Sequence, residues 1–384
     1  MATKNKLKIA MVLDDTLDRN AGAQVYVLTL GDYLTKLGHN VHYIVGETKK
    51  KVRPRQHSLA KNLRVKFNGN HLSIPVHTSK KDTTKLLHNE HFDIIHVQVP
   101  FSPIMAGKVL KIADGHARIV GTFHILPYGT VATWGNYLLG IWLRLYGKYF
   151  NEFITISEPS QVFAEKFYGI RGEIIRYPVN LGLIKKAIKT KLKREHEVEL
   201  LFHGRLVERK GCTELIKALA YGNKNNLFKK DWFLHISGDG PDRKKLEKQV
   251  TKNDLAQNVK FHGRTTDDKK FKLMNLSDIT LYPAMSGESF GVVTVEAMAT
   301  AHPVVLAGNN PGYASVLSEA KGSLFDAKNT EEFARHLAKY INNPKARKIL
   351  YNKQQKLVKK YDIKTVAKQV LKVYQDNYSP HKNK

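Results

Sequence analysis

Residues 279–299, ITLYPAMSGESFGVVTVEAMA, set out in one stretch the pattern that organises the chain. Ile279–Tyr282 reads as a short buried strand, and Gly291 opens a helix over Val292–Ala299. The loop between them, Ser286-Gly287-Glu288-Ser289-Phe290-Gly291, has a glycine on either side of its carboxylate. Glycines at a strand-to-helix junction let the backbone approach a ligand closely, and the unpaired N–H groups of the helix start suit a diphosphate. Glu288 can accept hydrogen bonds from sugar hydroxyls, and Glu296, on the first turns of the helix, can take a ribose. A surface loop before a Glu-bearing helix is the plainer reading of the same residues.

The same alternation runs outward in both directions and predicts α/β domains with parallel sheets. Towards the N-terminus, strands are expected at Ile9–Leu13, Val41–Val45, Ile94–Val97, Ile119–Thr122 and Phe153–Ile156, with helices at Ala23–Leu37, Pro103–Ala113 and Trp134–Phe150. The rhythm pauses at Tyr177-Pro178-Val179-Asn180, and the basic segment Lys185–Arg194 reads as a linker. It restarts with strands at Leu200–His203, Phe233–Ser237, Val259–His262, Ile279–Tyr282 and Val304–Ala307. Helices are expected at Cys212–Ala220, Asp242–Thr251, Asp267–Met274 and Val292–Ala299, and the chain from Thr330 to Asn377 reads as wholly helical. This is a domain over 1–180, a second over 181–360, and a helical tail over 361–384. Doubly wound sheets place ligands at the carboxyl ends of their strands, so a cleft between two such units is the expected site.

At 384 residues the chain suits two domains, and 42% hydrophobic residues suffice for a core in each. A lone cysteine, Cys212, excludes an internal disulfide and a cysteine metal cluster and fits a reducing compartment. The apolar run Ile9–Leu13 is too short for a signal peptide, and no window approaches a membrane span. A cytoplasmic protein is expected. The net charge of +29 implies an anionic partner, whether nucleic acid, an anionic membrane surface or phosphorylated substrates, although solubility alone explains many surface lysines. Before residue 180 there are 24 basic and 13 acidic residues, and after it 39 and 21, so neither half is a detachable basic arm.

Two further stretches carry chemistry. In Phe202-His203-Gly204-Arg205-Leu206-Val207-Glu208-Arg209-Lys210-Gly211, a strand ends at Gly204, and Arg205 and Lys210 bracket a short turn. Two cations there suit the charge that develops on a departing nucleoside diphosphate, ordinary surface charge being the alternative. In Ile119-Val120-Gly121-Thr122-Phe123-His124 another strand ends in a histidine; taken alone, such a residue reads as structural. Asn20-Ala21-Gly22-Ala23-Gln24 stands where a phosphate loop would sit but lacks G-x-G-x-x-G, and no P-loop, H-E-x-x-H or Cys/His metal spacing occurs.

Arg205 and Lys210 followed by Glu288-x7-Glu296, in the second α/β half, resemble the retaining glycosyltransferases of family 4, which have the GT-B fold of two Rossmann-like domains facing each other across a cleft. The resemblance extends to Gly22, Leu37-Gly38-His39-Asn40-Val41, Asp93-Ile94-Ile95-His96, Gly121-Thr122-Phe123-His124, Ile156-Ser157-Glu158 and Ser237-Gly238-Asp239-Gly240. Within the family, Gly287–Gly291 and the tail Tyr361-Asp362-Ile363-Lys364…Val373-Tyr374 are similar to bacterial phosphatidylinositol mannosyltransferases. The resemblance implies that Arg205 and Lys210 hold the donor diphosphate, Glu288 the transferred sugar and Glu296 the ribose. It puts Gly204, Gly238, Ser289, Phe290, Gly291 and Val292 at the donor, Gln24 on the acceptor side, His124 beside sugar and acceptor hydroxyl, and Gly22 in a loop closing on the diphosphate. It further implies retention of configuration by front-face attack, with no cofactor and no bound metal. One departure stands out: Ala21 precedes Gly22 where the family often has two glycines.

The resemblance also implies a lipid acceptor. Residues 134–150, WGNYLLGIWLRLYGKYF, with Arg144 and Lys148 four apart, could lie in a lipid interface or be a buried helix. The basic runs Lys49-Lys50-Lys51-Val52-Arg53-Pro54-Arg55 and Lys80-Lys81 suit an anionic inner leaflet or a solvated loop. The competing readings are a glycosyltransferase with a soluble or polysaccharide acceptor and a non-enzymatic nucleic-acid-binding protein. No aromatic-plus-basic platform supports the latter, so no specific nucleic acid is expected.

Overall fold

The computed structural model describes residues 6–19, 21–67, 70–99, 101, 103–124, 140, 143–188, 192–300 and 302–376. The chain forms two compact α/β units: one from the chain up to Pro178 together with the segment from Ile363 onward, the other Val179–Asp362.

In the first unit eight strands form one sheet in the order β4-β3-β2-β1-β5-β6-β7-β8. They are β1 (Lys8–Leu13), β2 (Asn40–Gly46), β3 (Gln56–Phe67), β4 (Asn70–Thr78), β5 (Ile94–Val99), β6 (Arg118–Phe123), β7 (Glu152–Thr155) and β8 (Glu173–Ile174). All pairings are parallel except β3 with β4. The central strands are buried on both faces, which is why they read as continuous apolar runs. On one face Ile95, Val97, Val99, Ile119 and Phe123 enter a core with Val109 and Leu110 of the helix Ala106–Ala113 and Phe163 of the helix Glu158–Tyr168. Side chains alternate along a strand, so His96 and Gln98 of β5 and Thr122 of β6 face the other way, towards Tyr26 of the helix Gly22–Lys36 and Tyr374 of the helix Ile363–Gln375.

In the second unit six strands form an all-parallel sheet in the order β11-β10-β9-β12-β13-β14. They are β9 (Val198–His203), β10 (Trp232–Ser237), β11 (Val259–Gly263), β12 (Ile279–Tyr282), β13 (Val304–Gly308) and β14 (Leu324–Phe325). Counted within the unit this is the order 3-2-1-4-5-6 of a dinucleotide-type Rossmann sheet. The order reverses between β9 and β12, and the two loops richest in candidate residues leave the carboxyl ends of those two strands.

The structure corrects the sequence reading in several places. The basic run through Arg55 leads into the β3–β4 hairpin, where no element was expected. Lys80 and Lys81 begin the helix Lys80–Glu90, capped by the Ser79 hydroxyl. The linker segment begins in a helix, Leu181–Ala187, capped by Asn180, and residues 189–191 lie outside the described ones. Pro311–Leu317 is a further helix that was not anticipated. Of residues 134–150, 134–139, 141 and 142 lie outside the described residues. Residues 143–147 are helical, with Leu143 and Tyr146 buried in the core and Arg144, Leu145 and Lys148 exposed. Among the described residues no helix is long and apolar enough to cross a membrane.

Candidate functional site

In the second unit the turn after β9 and the loop after β12 are locked together. Glu208–Lys210 forms a single 3-10 turn ended by Gly211, and the Met285 N–H donates to the Arg209 carbonyl at 3.2 Å. This brings the two cations of the turn onto one atom: Lys210 Nζ and Arg209 Nη1 each donate to Glu288 Oε1 at 2.7 Å. The three side chains are 17%, 23% and 13% exposed, so the cluster is recessed yet open to a ligand. Arg209 was not among the residues singled out in the sequence, where Arg205 and Lys210 were. Arg205, directly after Gly204, is exposed at the same strand end.

Glu296 sits deeper. Lys270, from the helix Asp267–Leu276, places Nζ 3.1 and 3.2 Å from the two carboxylate oxygens of Glu296 and 3.0 Å from Asp267. Burial alone would depress the Lys270 ammonium; the two carboxylates more than reverse this and hold its pKa above the ordinary value. Nothing in the spacing of Lys270 marked it, since it meets Glu296 only through the packing of two helices.

The glycines divide into two kinds. Gly238, at φ +143°, would carry a Cβ 1.8 Å from the Gly204 carbonyl oxygen, so two backbones cross there without room for a methyl. The N–H groups of both residues are engaged within the sheet ends, Gly204 on Ser237 O and Gly238 on Gly263 O. Both were expected at the donor, and the structure shows their two backbones closely packed at the strand ends. Gly22, by contrast, has nothing within 4 Å of a would-be Cβ, as a position kept open for a ligand would. The helices starting at Gly22 and Val292 have neither a side-chain cap nor an acidic residue in their first turn, whereas Ser79, Ser157, Thr266 and Asn310 cap theirs. Uncapped N–H groups and the positive end of the helix dipole favour an anion. Phe290 is buried with its ring 5.5 Å from that of Tyr361, so it offers a ligand only backbone. Ser289 and Val292, on either side of Phe290 and Gly291, are partly exposed.

In the first unit His124 follows β6 directly. Its N–H donates to Val99 O at 3.1 Å, and its Nε2 is 2.7 Å from Gln98 Oε1. The ring of Tyr26 meets it edge-on at 4.8 Å. Burial pushes the His124 pKa down to about 3, so the ring is neutral at physiological pH. Beneath it, His96 is bracketed by Tyr374 Oη and Thr122 Oγ1, both at 2.6 Å, and burial pushes it down to about 3 as well. His124 is therefore one of a set of polar residues at a single sheet face, of which Gln98 and Tyr26 were missed and Tyr374 was marked only as part of the tail. Gln24, expected on the acceptor side, is 1% exposed and donates to Thr16 O at 3.1 Å. It shapes the loop after β1 from inside and lines no open surface. The Gly22 carbonyl accepts from Tyr177 Oη at 2.6 Å. Among the described residues no group of three or more His, Cys, Asp or Glu could hold a metal ion.

The chain is similar to known proteins in sequence and in fold. Residues 20–182 match the family described as Glycosyltransferase Family 4, and residues 184–357 match Glycosyl transferases group 1. The phosphatidyl-myo-inositol mannosyltransferase of Mycobacterium leprae is 27% identical over 96% of both chains. That of Mycolicibacterium smegmatis is 28% identical over 96% of this chain and 94% of its own. Among solved structures, a glycosyltransferase from Rickettsia africae superposes with a TM-score of 0.75 at 16% identity, covering 98% of this chain and all of that one. Anabaena HepE in complex with UDP and glucose gives 0.70 at 17% identity over 96% and 100%. The chain accordingly belongs to the GT-B glycosyltransferases, with a family 4 domain followed by a group 1 domain.

Proposed function

We propose that this glycosyltransferase moves a hexose, with retention, from a nucleotide sugar of the GDP-mannose or UDP-glucose type to a membrane lipid headgroup such as phosphatidylinositol or diacylglycerol. The observation that carries the donor half is the convergence of Lys210 and Arg209 on one oxygen of Glu288, at the carboxyl ends of the two central strands. Cations there match a diphosphate, and the carboxylate between them matches sugar hydroxyls. The acceptor hydroxyl attacks the anomeric carbon on the face from which the phosphate departs. The carbon–oxygen bond to the diphosphate breaks as the new glycosidic bond forms, and the leaving phosphate oxygen takes the acceptor's proton. Arg205 and Lys210 stabilise the charge on that leaving group, and Glu296 receives the ribose. His124, neutral at working pH, accepts a hydrogen bond from the sugar.

The lipid half is supported by the relatives' names and by the exposed Arg144, Leu145 and Lys148, which suit peripheral attachment to an anionic inner leaflet. The test is turnover of labelled GDP-mannose and UDP-glucose with mixed anionic liposomes, alongside vesicle flotation. Label entering the organic phase supports the proposal. Donor consumed with the label left in water means a soluble or polysaccharide acceptor, and no donor consumed or bound overturns the site. Flotation without preference for anionic over neutral vesicles removes the membrane attachment.

A further inference from the structure

We infer that Gln98 is the positioning residue of His124: it fixes the imidazole as the neutral Nε2–H tautomer and so makes Nδ1 the acceptor that the ring offers a ligand. The tautomer follows from geometry, and only the identity of the ligand rests on the transfer reaction proposed above. Gln98 lies near the carboxyl end of β5 and is 2% exposed. Its amide nitrogen is turned to the His96 carbonyl, at 3.5 Å, which turns Oε1 to His124 Nε2 at 2.7 Å. An amide oxygen can only accept, so Nε2 must carry the hydrogen. A neutral imidazole has one ring hydrogen, and Nδ1 is then left with its lone pair.

The surroundings hold the ring in this state. The backbone of His124 is tied to Val99 O, and Tyr26 packs edge-on against the ring. Among the described residues, the titratable groups packed around it are Tyr26, from the helix Gly22–Lys36, and His96, from β5; Tyr177 lies beyond, against Tyr26. Burial pushes Tyr26 up to about 12 and His96 down to about 3, so both are neutral at working pH. A glutamate in place of Gln98 would have nearly the same shape and the opposite effect, since a carboxylate accepting from Nε2–H stabilises the imidazolium. The amide thus makes His124 a hydrogen-bond acceptor with no role as a proton donor, which suits a sugar hydroxyl and is unsuited to protonating a leaving group.

The experiment is nitrogen NMR on the full-length protein labelled at histidine, without ligand, with the His124 resonances assigned by their loss in His124→Gln. The expected result is the Nε2–H tautomer, neutral down to pH 5. In Gln98→Glu the His124 titration should move up by about two pH units, and the pH profile of kcat should gain an acid limb that the wild type lacks. An Nδ1–H tautomer or a charged ring at pH 7 in the wild type overturns the inference, as does an unmoved titration in Gln98→Glu. The wild-type spectrum decides the matter even if the variant does not fold. If the tautomer is as stated and no sugar nucleotide is consumed, the positioning stands and the proposed reaction falls.

Discussion

Lys210 Nζ lies 2.7 Å from Glu288 Oε1, joining the turn after β9 to the loop after β12. Arg209 reaches the same oxygen, so two positive charges are held by one negative charge at the switch point of the sheet. A diphosphate would find an excess of cation there, already positioned by a carboxylate that a sugar could share.

Removing that carboxylate should therefore affect turnover far more than folding. Glu288→Gln keeps the shape and loses the charge; charge-assisted hydrogen bonds contribute about 1.5–3 kcal/mol each, so kcat/KM should fall by about 10² or more, with a smaller loss in Tm as the part-exposed bonds to Lys210 and Arg209 weaken. Steady-state kinetics with thermal melting separates the two effects. Wild-type turnover in Glu288→Ala would sink the assignment of this site.

Two glycine substitutions should behave oppositely. Gly238→Ala drives a methyl to 1.8 Å from a backbone oxygen at a left-handed φ, and several kcal/mol of destabilisation is expected, seen as a large fall in Tm or loss of soluble protein. Gly22→Ala meets nothing and begins a helix, where alanine is favoured by up to about 1 kcal/mol. Its melting temperature should hold or rise while turnover falls, if ligand approaches that backbone. Undiminished turnover in Gly22→Ala would show that no ligand does.

Lys270→Met should make stability dependent on pH in a new way. Burial pushes the Glu296 carboxyl up, and Lys270 is the chief group that offsets this. Without it the folded pKa rises further above the unfolded value near 4.5. A raised acid disfavours the folded state as pH climbs past the unfolded pKa. Relative to wild type, the variant should thus lose stability between pH 5 and 8, by about 3–5 kcal/mol for a broken buried pair. Urea denaturation at several pH values reads this directly; parallel curves for variant and wild type would refute it.

Acid should destabilise the wild type early. Burial pushes His96 and His124 down to about 3, and His42, His203 and His262 down to about 4. Below pH 6.5 the unfolded chain binds protons that these rings refuse when folded. Stability is full above about 6.5 and falls as pH drops towards 4, with each ring contributing up to about 1.4 kcal/mol per pH unit. Denaturation at pH 7, 6 and 5 should show this slope, and His96→Gln should flatten it by about one proton. A slope unchanged in His96→Gln would mean that His96 is charged when folded.

The elements of the fold were legible where the chain is buried on both faces. Ile279–Tyr282 and Val292–Ala299 run as the sequence predicts, and the central strands differ only at their ends, because a parallel strand covered by helices must be apolar throughout. The β3–β4 hairpin was not legible: QHSLAKNLRVKF is polar and basic, and its strand character comes from pairing, with β2 over its first residues and with the edge strand β4 from Ala60 to Phe67. Composition and local spacing thus determined the α/β class, the two glycine-bearing loops and the presence of Glu288, Lys210 and His124 at strand ends. Which groups those residues meet was decided by packing across long separations. Lys210 meets Glu288 78 residues away, Lys270 meets Glu296 26 away, and His96 meets Tyr374 278 away. The state of His124 was likewise decided by its neighbour. A single side chain does not reveal its own protonation, because the buried amide of Gln98 and the loss of water around the ring are properties of the folded sheet face.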